Sequence, residues 1–249
     1  MVKVQLDRGI YQFIFEPVAN FRYGNNIIAI LRGKKALLID TGYEFQVQQV
    51  IEELNKEEVS VEGVILSHYH QGHIQGLRSL QGVTVYGSSY YQQTLEQWCP
   101  VEEMNYYTPT ILIERMKRIR YGSHILEIIS NPGQTICTLM IRIDNNFLYI
   151  ADEVIYSAEG DLVLPRVTKD NIINLYVSAN SLGKFSKATI IPAHGLSITD
   201  PTKIEQDIRD ICLYLCEILS HEEELSVEQA TSKCACCFLH TERHQNAYR

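Results

Sequence analysis

The order of apolar and amphipathic segments predicts an α/β fold for this chain of 249 residues. Short apolar runs typical of buried strands alternate with segments whose apolar residues recur at helical spacing. The chain is 45% hydrophobic, which is enough to build a large core. No repeat, low-complexity tract or linker-like stretch divides it. We therefore expect one domain over residues 1–249, with a C-terminal helical extension from about residue 200.

The first part of the chain reads as strands followed by helices. Residues 27–31 and 36–39 are apolar runs on either side of Arg32-Gly33-Lys34-Lys35, which predicts a β-hairpin. An amphipathic helix is expected at residues 47–54, because apolar residues recur there at i, i+3, i+4 and i+7. A short buried strand follows at residues 64–66.

The second part of the chain repeats this arrangement. Four apolar runs predict strands at residues 125–129, 138–143, 147–150 and 188–191. Asp200-Pro201 then begins a clear amphipathic helix. Polar residues recur where strands end, as at Asp152 and His194, and such groups are expected to line a site at the edge of packed sheets.

Three histidines follow the strand at residues 64–66, namely His68, His70 and His73. Alternate residues of an extended segment share a face, so His68 and His70 point the same way. We expect His73 to open a helix over residues 74–80 and to aim at the same volume. Tyr69 could line this pocket, although alternation directs it into packing. Neutral imidazole binds zinc and also suits iron, so this spacing predicts a metal site rather than three surface histidines.

Composition narrows the classes of partner. The net charge of −8 argues against nucleic acid, which is bound by basic surfaces. No apolar run is long enough to span a membrane, and the first residues do not resemble a secretory signal. The seven cysteines, an odd number, are typical of reduced thiols. We expect a cytoplasmic protein with a small-molecule substrate, and a homodimer stays open.

Taken together, five motifs resemble the metallo-β-lactamase-fold superfamily. In chain order they are Asp40-Thr41-Gly42, His68-Tyr69-His70-Gln71-Gly72-His73, Pro132-Gly133-Gln134-Thr135, Asp152 and Ala193-His194-Gly195. The family pattern is a strand ending in Asp-Thr-Gly, His-x-His-x-Asp-His, a Pro-Gly-His-Thr turn, an aspartate after a hairpin strand, and a late histidine. The resemblance implies a four-layer αβ/βα sandwich of two mixed β-sheets flanked by helices, with the site at the edge between the sheets.

The resemblance also implies a metal-ligand set, which departs from the family pattern at Gly72 and Gln134. Five of the usual ligand positions remain: His68, His70, His73, Asp152 and His194. One metal would lie near His68 and His70, a second near His73 and His194, and Asp152 would bridge them. Asp40 would orient a ligand through a hydrogen bond. We expect one or two zinc ions, with iron or manganese as alternatives.

The function implied by this resemblance is metal-dependent hydrolysis of an acyl bond (a thioester, lactone or amide) in a small molecule. A bound metal would activate the attacking water, with Asp152 and His194 as the catalytic residues. Two alternatives remain open. Because each pocket lacks one ligand, the protein could be a decayed family member that binds a small molecule or serves as a scaffold. The surviving residues also suit a mononuclear iron oxidoreductase.

Overall fold

Two mixed β-sheets pack face to face between layers of helices in the computed structural model, which describes residues 1–17, 24–185 and 187–248. The strands are β1 (Val2–Asp7), β2 (Ile10–Ile14), β3 (Asn26–Arg32), β4 (Lys35–Ile39), β5 (Ser60–Ile65), β6 (Thr84–Ser88), β7 (Ile111–Ile113), β8 (Met116–Tyr121), β9 (His124–Ser130), β10 (Leu139–Ile143), β11 (Phe147–Tyr149) and β12 (Thr189–Ile191). The helices are α1 (Glu44–Asn55), α2 (Gln71–Ile74), α3 (Tyr91–Leu95), α4 (Ile172–Leu182), α5 (Pro201–Leu219) and α6 (Val227–Ala230). Short 3₁₀ segments lie at Gln75–Ser79, Val101–Tyr107, Gly183–Phe185 and Thr241–Tyr248.

The first sheet contains β1 to β7 in sequence order. Its strands are antiparallel from β1 to β4 and parallel from β4 to β7. The second sheet has the order β12-β11-β10-β9-β8, and within it β11 and β12 are parallel while the other pairs are antiparallel. Both sheets are therefore mixed, which confirms the fold class predicted from the sequence.

Strand alternation separates the core into layers, as β3 shows. Ile28 and Ile30 belong to the apolar layer between the two sheets. Ile27 and Ala29 point to the opposite face, where they join Val50 of α1 in a separate core. A third core forms on the outer face of the second sheet and includes residues of α4 and α5. The result is the expected order of helix, sheet, sheet and helix.

The helix expected at residues 74–80 has a different form. The helical turn of α2 begins at Gln71 and ends at Ile74, and a 3₁₀ segment continues from Gln75 to Ser79. The backbone N–H of Gly76 donates to the carbonyl of Gly42 at 2.9 Å, so it is not available to extend the α-helical ladder. His73 consequently lies inside α2 rather than at the start of a longer helix.

The C-terminal helices begin close to the predicted position. The Asp200 carboxylate accepts a hydrogen bond from the backbone N–H of Thr202 at 2.9 Å and so caps α5. The chain after α6 folds back onto α5, where the buried carboxylate of Asp210 accepts from the backbone N–H groups of Ala235 and Cys236 at 3.0 and 3.1 Å.

None of the helices in the described ranges has the length and apolar character that a bilayer crossing requires.

Candidate metal centre

Strand ends from both sheets bring the predicted ligands to one edge of the sandwich. β4 and β5 are parallel neighbours, so Asp40 and His68, which follow them, emerge at the same edge of the first sheet. β11 and β12 are also parallel, and Asp152 and His194 follow these strands in the second sheet. Residues that lie far apart in the sequence therefore meet between the two sheets.

Three imidazoles face the carboxylate of Asp152, and a fourth contacts one of them. Nε2 of His68 lies 3.6 Å from Oδ2 of Asp152 and 3.1 Å from Nδ1 of His70. On the other side, Nε2 of His73 and Nε2 of His194 lie 3.4 and 3.1 Å from Oδ1 of Asp152. We call His68, His70 and Oδ2 the first half of the cluster, and His73, His194 and Oδ1 the second half.

Hydrogen bonds on the far side of three rings fix these orientations. Nδ1 of His73 donates to Oδ2 of Asp40 at 2.8 Å, and Nδ1 of His194 donates to the carbonyl of Gly24 at 3.0 Å. Nδ1 of His68 lies 3.1 Å from the hydroxyl of Ser67. Each ring therefore presents Nε2 to Asp152, as metal-binding histidines held by an outer hydrogen bond do.

Asp40 is the centre of this supporting network, as predicted. Its carboxylate accepts from the backbone N–H and the hydroxyl of Ser67 and from the hydroxyl of Tyr149, each at 2.7 Å. Asp40 has a left-handed backbone conformation, with φ of 57°, which turns the chain out of β4. The contribution of Tyr149 was not predicted, because in the sequence it is one more aromatic residue within an apolar strand.

Burial and the shared carboxylate give the histidines different proton affinities. Burial lowers the pKa of His68 well below its ordinary value and lowers that of His70 to about 4. Burial also opposes a charge on His73, but the nearby carboxylate of Asp152 and that of Asp40, to which Nδ1 is hydrogen-bonded, raise its pKa to about 10. The surrounding imidazoles, His194 first, outweigh burial and hold the pKa of Asp152 well below its usual range.

The cluster has the donor set and spacing that a divalent metal requires. Ligand atoms of His68, His73 and Asp152 all lie within 4.8 Å of one another, and all three residues are buried. Donors placed tetrahedrally about 2.1 Å from a zinc ion would lie roughly 3.4 Å apart. Oδ1 of Asp152 is buried and makes no well-formed hydrogen bond, although two imidazoles lie close to it. A buried carboxylate oxygen of this kind fits metal coordination, which would satisfy it.

No second metal-binding group of comparable compactness occurs among the residues that the structure describes. These residues include all seven cysteines, which are unpaired. The cysteines near the C-terminus therefore form no metal-ligand cluster with neighbouring histidines or carboxylates in the described ranges.

The two substituted positions have different surroundings. A Cβ atom at Gly72 would lie 3.5 Å from both Nδ2 of Asn25 and the hydroxyl of Tyr43, which are ordinary contact distances. Gln134 is a buried residue with 8% exposure, and both polar atoms of its amide lack a hydrogen-bond partner. Position 72 thus has room for a side chain, whereas position 134 holds a buried amide.

Tyr69 is the one predicted pocket residue that the structure places elsewhere. Its side chain is fully buried in the core, where its ring centroid lies 5.2 Å from that of Tyr91. Since Tyr69 lies between His68 and His70 in an extended segment, its side chain points away from theirs. The proposed role in the pocket was therefore wrong, and the alternative of packing is correct.

Two adjacent cavities open at the cluster. The metal cavity, of about 410 Å³, is lined by ligands of both halves together with Tyr43, Trp98 and Arg166. A second cavity of about 810 Å³ lies beside it, and His70, Gln97 and Arg166 line both. Arg166 was missed in the sequence, since a single loop arginine has no spacing that relates it to the histidines.

The fold and the cluster define a class of αβ/βα sandwich proteins that assemble metal ligands between two sheets. The chain belongs to the metallo-beta-lactamase superfamily, because the model of that family matches residues 21–194, most of the sequence. This confirms the resemblance seen in the five motifs.

Relatives of known name are distant. The chain is 22% identical over 198 residues to the Beta-lactamase-like protein 2 homolog of Drosophila melanogaster, an alignment that covers 76% of this chain and 65% of the relative. It is 21% identical over 181 residues to the Hydroxyacylglutathione hydrolase of Haemophilus ducreyi, which covers 71% and 68% of the two chains. The chain thus spans about two thirds of the length of these curated relatives.

Solved structures agree with the fold. A metallo-beta-lactamase from Pontibacter korlensis superposes with a TM-score of 0.68 at 14% identity, covering 84% of this chain and 97% of that one. The DIM-1 metallo-beta-lactamase exposed to ceftazidime gives a TM-score of 0.64 at 17% identity, with 85% and 95% covered. At these identities the likeness concerns the fold.

Proposed function

We propose that this protein is a metal-dependent hydrolase that cleaves an acyl bond, such as a thioester, lactone or amide, in a small molecule. The observation that carries the proposal is the position of Asp152 among the imidazoles of His68, His73 and His194 at the wall of the metal cavity. Family membership and the name of the hydrolase relative support the same reaction class.

The residues that would hold the metal follow from the two halves. His68, His70 and Oδ2 of Asp152 would form one site, and His73, His194 and Oδ1 of Asp152 would form the other. We propose zinc, in one or two ions, with iron and manganese as alternatives, since two imidazoles and one carboxylate suit all three. When bound, such a metal polarises a carbonyl group and lowers the pKa of water from 15.7 toward about 7.

The chain supplies the remaining parts of the reaction. Among the described residues that line the metal cavity, Asp152 is the one carboxylate, and its low pKa keeps it ionised. It is therefore the carboxylate positioned to hold the metal, and no other carboxylate among the described lining residues is placed to take a proton from the attacking water. Tyr43 and Trp98 provide aromatic walls against which the apolar part of an acyl group can pack.

Asn25 stabilises the wall at the substituted position 72. Its amide donates to the carbonyl of Gly72 at 2.8 Å and to Oε1 of Gln46 at 3.0 Å. These bonds hold the backbone of α2 in place beside His73 even though no side chain projects from residue 72.

A protein that binds a ligand without turnover is the alternative function. The observation in its favour is that Gly72 and Gln134 stand where the family pattern has an aspartate and a histidine. The iron oxidoreductase alternative uses the same residues and is separated from hydrolysis by the identity of the metal. A cytoplasmic location also stays a proposal, supported by the seven unpaired cysteines.

The test starts with the full chain purified without a histidine tag and analysed for bound metals. The protein is then stripped with a chelator, reloaded with zinc, manganese or iron, and assayed on thioester, lactone and amide substrates. We expect hydrolysis of at least one class by reloaded protein, and none by stripped protein or by the reloaded Asp152→Asn variant. Full metal loading without turnover of any class would support the binding protein instead, and failure to bind any metal would exclude both enzymes.

A further inference from the structure

Strand β8 forms one edge of the second sheet. In the described part of the chain it pairs with β9 alone. The backbone N–H of Ser130 on β9 donates to the carbonyl of Arg115 at 2.8 Å. Since alternate residues of an antiparallel strand turn their backbone groups to opposite sides, those of Met116, Arg118 and Arg120 face away from β9. They form an open row to which another strand can pair.

The two sheets protect their edges differently. β1, at the edge of the first sheet, has a register shift between Gln5 and Asp7, and such irregularities blunt an edge. Its cation, Lys3, is already paired with Glu57 at 2.7 Å. The six residues of β8 pair with β9 in continuous register and include no proline. The edge at β8 is therefore regular enough to accept a strand.

The side chains along β8 concentrate positive charge on a chain whose net charge is −8. Four exposed cations follow one another here, namely Arg115, Lys117, Arg118 and Arg120. Of these, Arg118 alone contacts a carboxylate among the described residues, that of Glu127 at 3.8 Å, and Arg142 holds Glu127 more closely. Such charges keep two copies of β8 apart, and the same charges attract a strand that carries carboxylates.

Small cavities border β8 where side chains of an added strand would lie. One of about 270 Å³ is lined by Ile119 and Tyr121 together with residues of the first sheet. Another of about 250 Å³ is lined by Arg118 and Arg120 together with β9. Tyr121 is 7% exposed, and its hydroxyl makes no well-formed hydrogen bond, although burial and the nearby Glu62 carboxylate raise its pKa. Pockets beside an edge strand receive alternate side chains of a bound peptide.

We propose that β8 binds an acidic, extended segment of a partner protein, which adds to the five-stranded second sheet as a further strand. The backbone of the segment bonds to the open row at Met116, Arg118 and Arg120. Its carboxylates lie beside Arg118 and Arg120, and the side chains between them point to the opposite face, toward Ile119 and Tyr121. This interaction needs no metal and does not depend on the proposed hydrolase function.

The first experiment compares peptides that differ in charge. A labelled peptide of alternating threonine and glutamate, blocked at both ends, is titrated with the full chain and followed by fluorescence anisotropy. Threonine favours strands and offers a hydroxyl to Tyr121. We expect this peptide to bind at least about fivefold more tightly than its threonine–glutamine counterpart, and added salt should reduce the difference. Equal binding of the two peptides, or no binding of either, would overturn the proposal.

An oligothymidylate of equal charge separates strand addition from general attraction of anions. It carries the charge of the acidic peptide but no backbone that can join a sheet, so we expect it to bind more weakly. Binding as tight as that of the peptide would overturn the proposal in favour of a surface that attracts any polyanion.

A proline variant tests the backbone bonds directly. Arg118→Pro and Arg118→Gln lose the same charge, but only the proline removes an N–H group from the open side of β8. Arg118→Pro should therefore bind the acidic peptide about threefold more weakly than Arg118→Gln, or weaker still. If Arg118→Pro does not fold, the acidic peptide methylated on alternate backbone nitrogens makes the same test on the parent protein. Methylation without effect would overturn strand addition.

A matched charge change locates the binding. Arg120→Glu should weaken the acidic peptide at least about fivefold, whereas Lys169→Glu, with the same change in net charge at an exposed loop residue, should weaken it less than about twofold. Equal losses would overturn the proposal. Saturating peptide should also slow the exchange of the amide hydrogens of Met116, Arg118 and Arg120. A dimer of the parent protein that the peptide dissociates, seen by sedimentation, would overturn the proposal in favour of a second copy.

Discussion

The two positions at which the chain departs from the family's ligand pattern have physically different surroundings. At Gly72 there is room for a side chain, because a Cβ there meets its neighbours at ordinary distances. At Gln134 the chain keeps a side chain of similar size to histidine, and its amide is buried without partners. The comparison shows that position 72 can take a new side chain by simple addition, whereas position 134 already holds a buried polar group.

The halves also differ in the charge that they present to an incoming metal. Burial keeps His68 and His70 neutral at pH 7, since it lowers both pKa values. His73 carries a proton at the same pH because Asp152 and Asp40 raise its pKa to about 10. A metal can enter the first half without displacing a proton, but in the second half it must replace the proton of His73.

The largest expected effect comes from replacing Asp152, the carboxylate that the two halves share. Asp152→Asn should lower zinc affinity in both halves by more than about 100-fold, beyond the 10–100-fold cost of losing an outer hydrogen-bond partner, because one oxygen of Asp152 faces His68 and the other faces His73 and His194. Competition with a chromogenic chelator measures this.

Glu153→Gln is the matched control for this prediction. The Glu153 carboxyl is also buried, and burial raises its pKa to about 8, but it contacts Ser178 and the backbone N–H of Gln134 rather than the cluster. Equal losses in the two variants would show that any buried carboxyl at this edge supports binding only through the fold.

A smaller effect should appear as a difference between the two halves in how zinc affinity depends on pH. His70→Ala retains the second half and His194→Ala retains the first. Between pH 6.5 and 8.5 we expect zinc affinity to rise about 100-fold in His70→Ala, tenfold for each pH unit below the pKa of His73. In His194→Ala, zinc affinity should change less than about threefold over the same pH range, since the two imidazoles of the retained first half are already neutral. Calorimetry in buffers of different ionisation enthalpy counts the protons released when zinc binds. If zinc affinity rose equally steeply with pH in both variants, the predicted difference between the two halves would be wrong.

The smallest effect should come from restoring a carboxylate to the second half. Gly72→Asp should raise zinc affinity there about tenfold without loss of thermal stability, because the position has space and its φ lies outside the left-handed region. Gly72→Asn, with the same shape and no charge, should give a smaller gain. If both variants bind zinc less well than the parent, residue 72 does not face the second half as proposed.

Local patterns in the sequence predicted much of the fold and the residues that meet in the cluster. The β3–β4 hairpin, the shared face of His68 and His70, and the strand-end positions of Asp152 and His194 all follow from spacing within a few residues or from the family motifs. The structure brings these groups together as the motifs implied. The strands β1 and β2 were not predicted, and the mostly exposed pattern of β1 explains why its sequence gives a weak signal.

Features that depend on distant packing could not be predicted. Tyr149 reaches Asp40 because the two sheets face each other, a relation that no local pattern encodes. Arg243 lines the same cavity as Arg166 because the tail that carries Arg243 folds back onto α5. A single arginine in a loop resembles any other solvated residue until the fold that surrounds it is known.

The bonds that join the start of β3 to the loop after β12 have a consequence for folding. The Asn26 amide donates to the carbonyls of Pro192 and Gly195 at 2.8 and 2.7 Å, and Asn25 forms an isolated bridge with His194. Contacts between residues so far apart in the sequence are typical of slow folding steps. Refolding should therefore proceed in two observable stages, in which the intrinsic fluorescence of the core recovers before the protein binds zinc tightly. A bound ion would then stabilise the contact between these two segments against reopening.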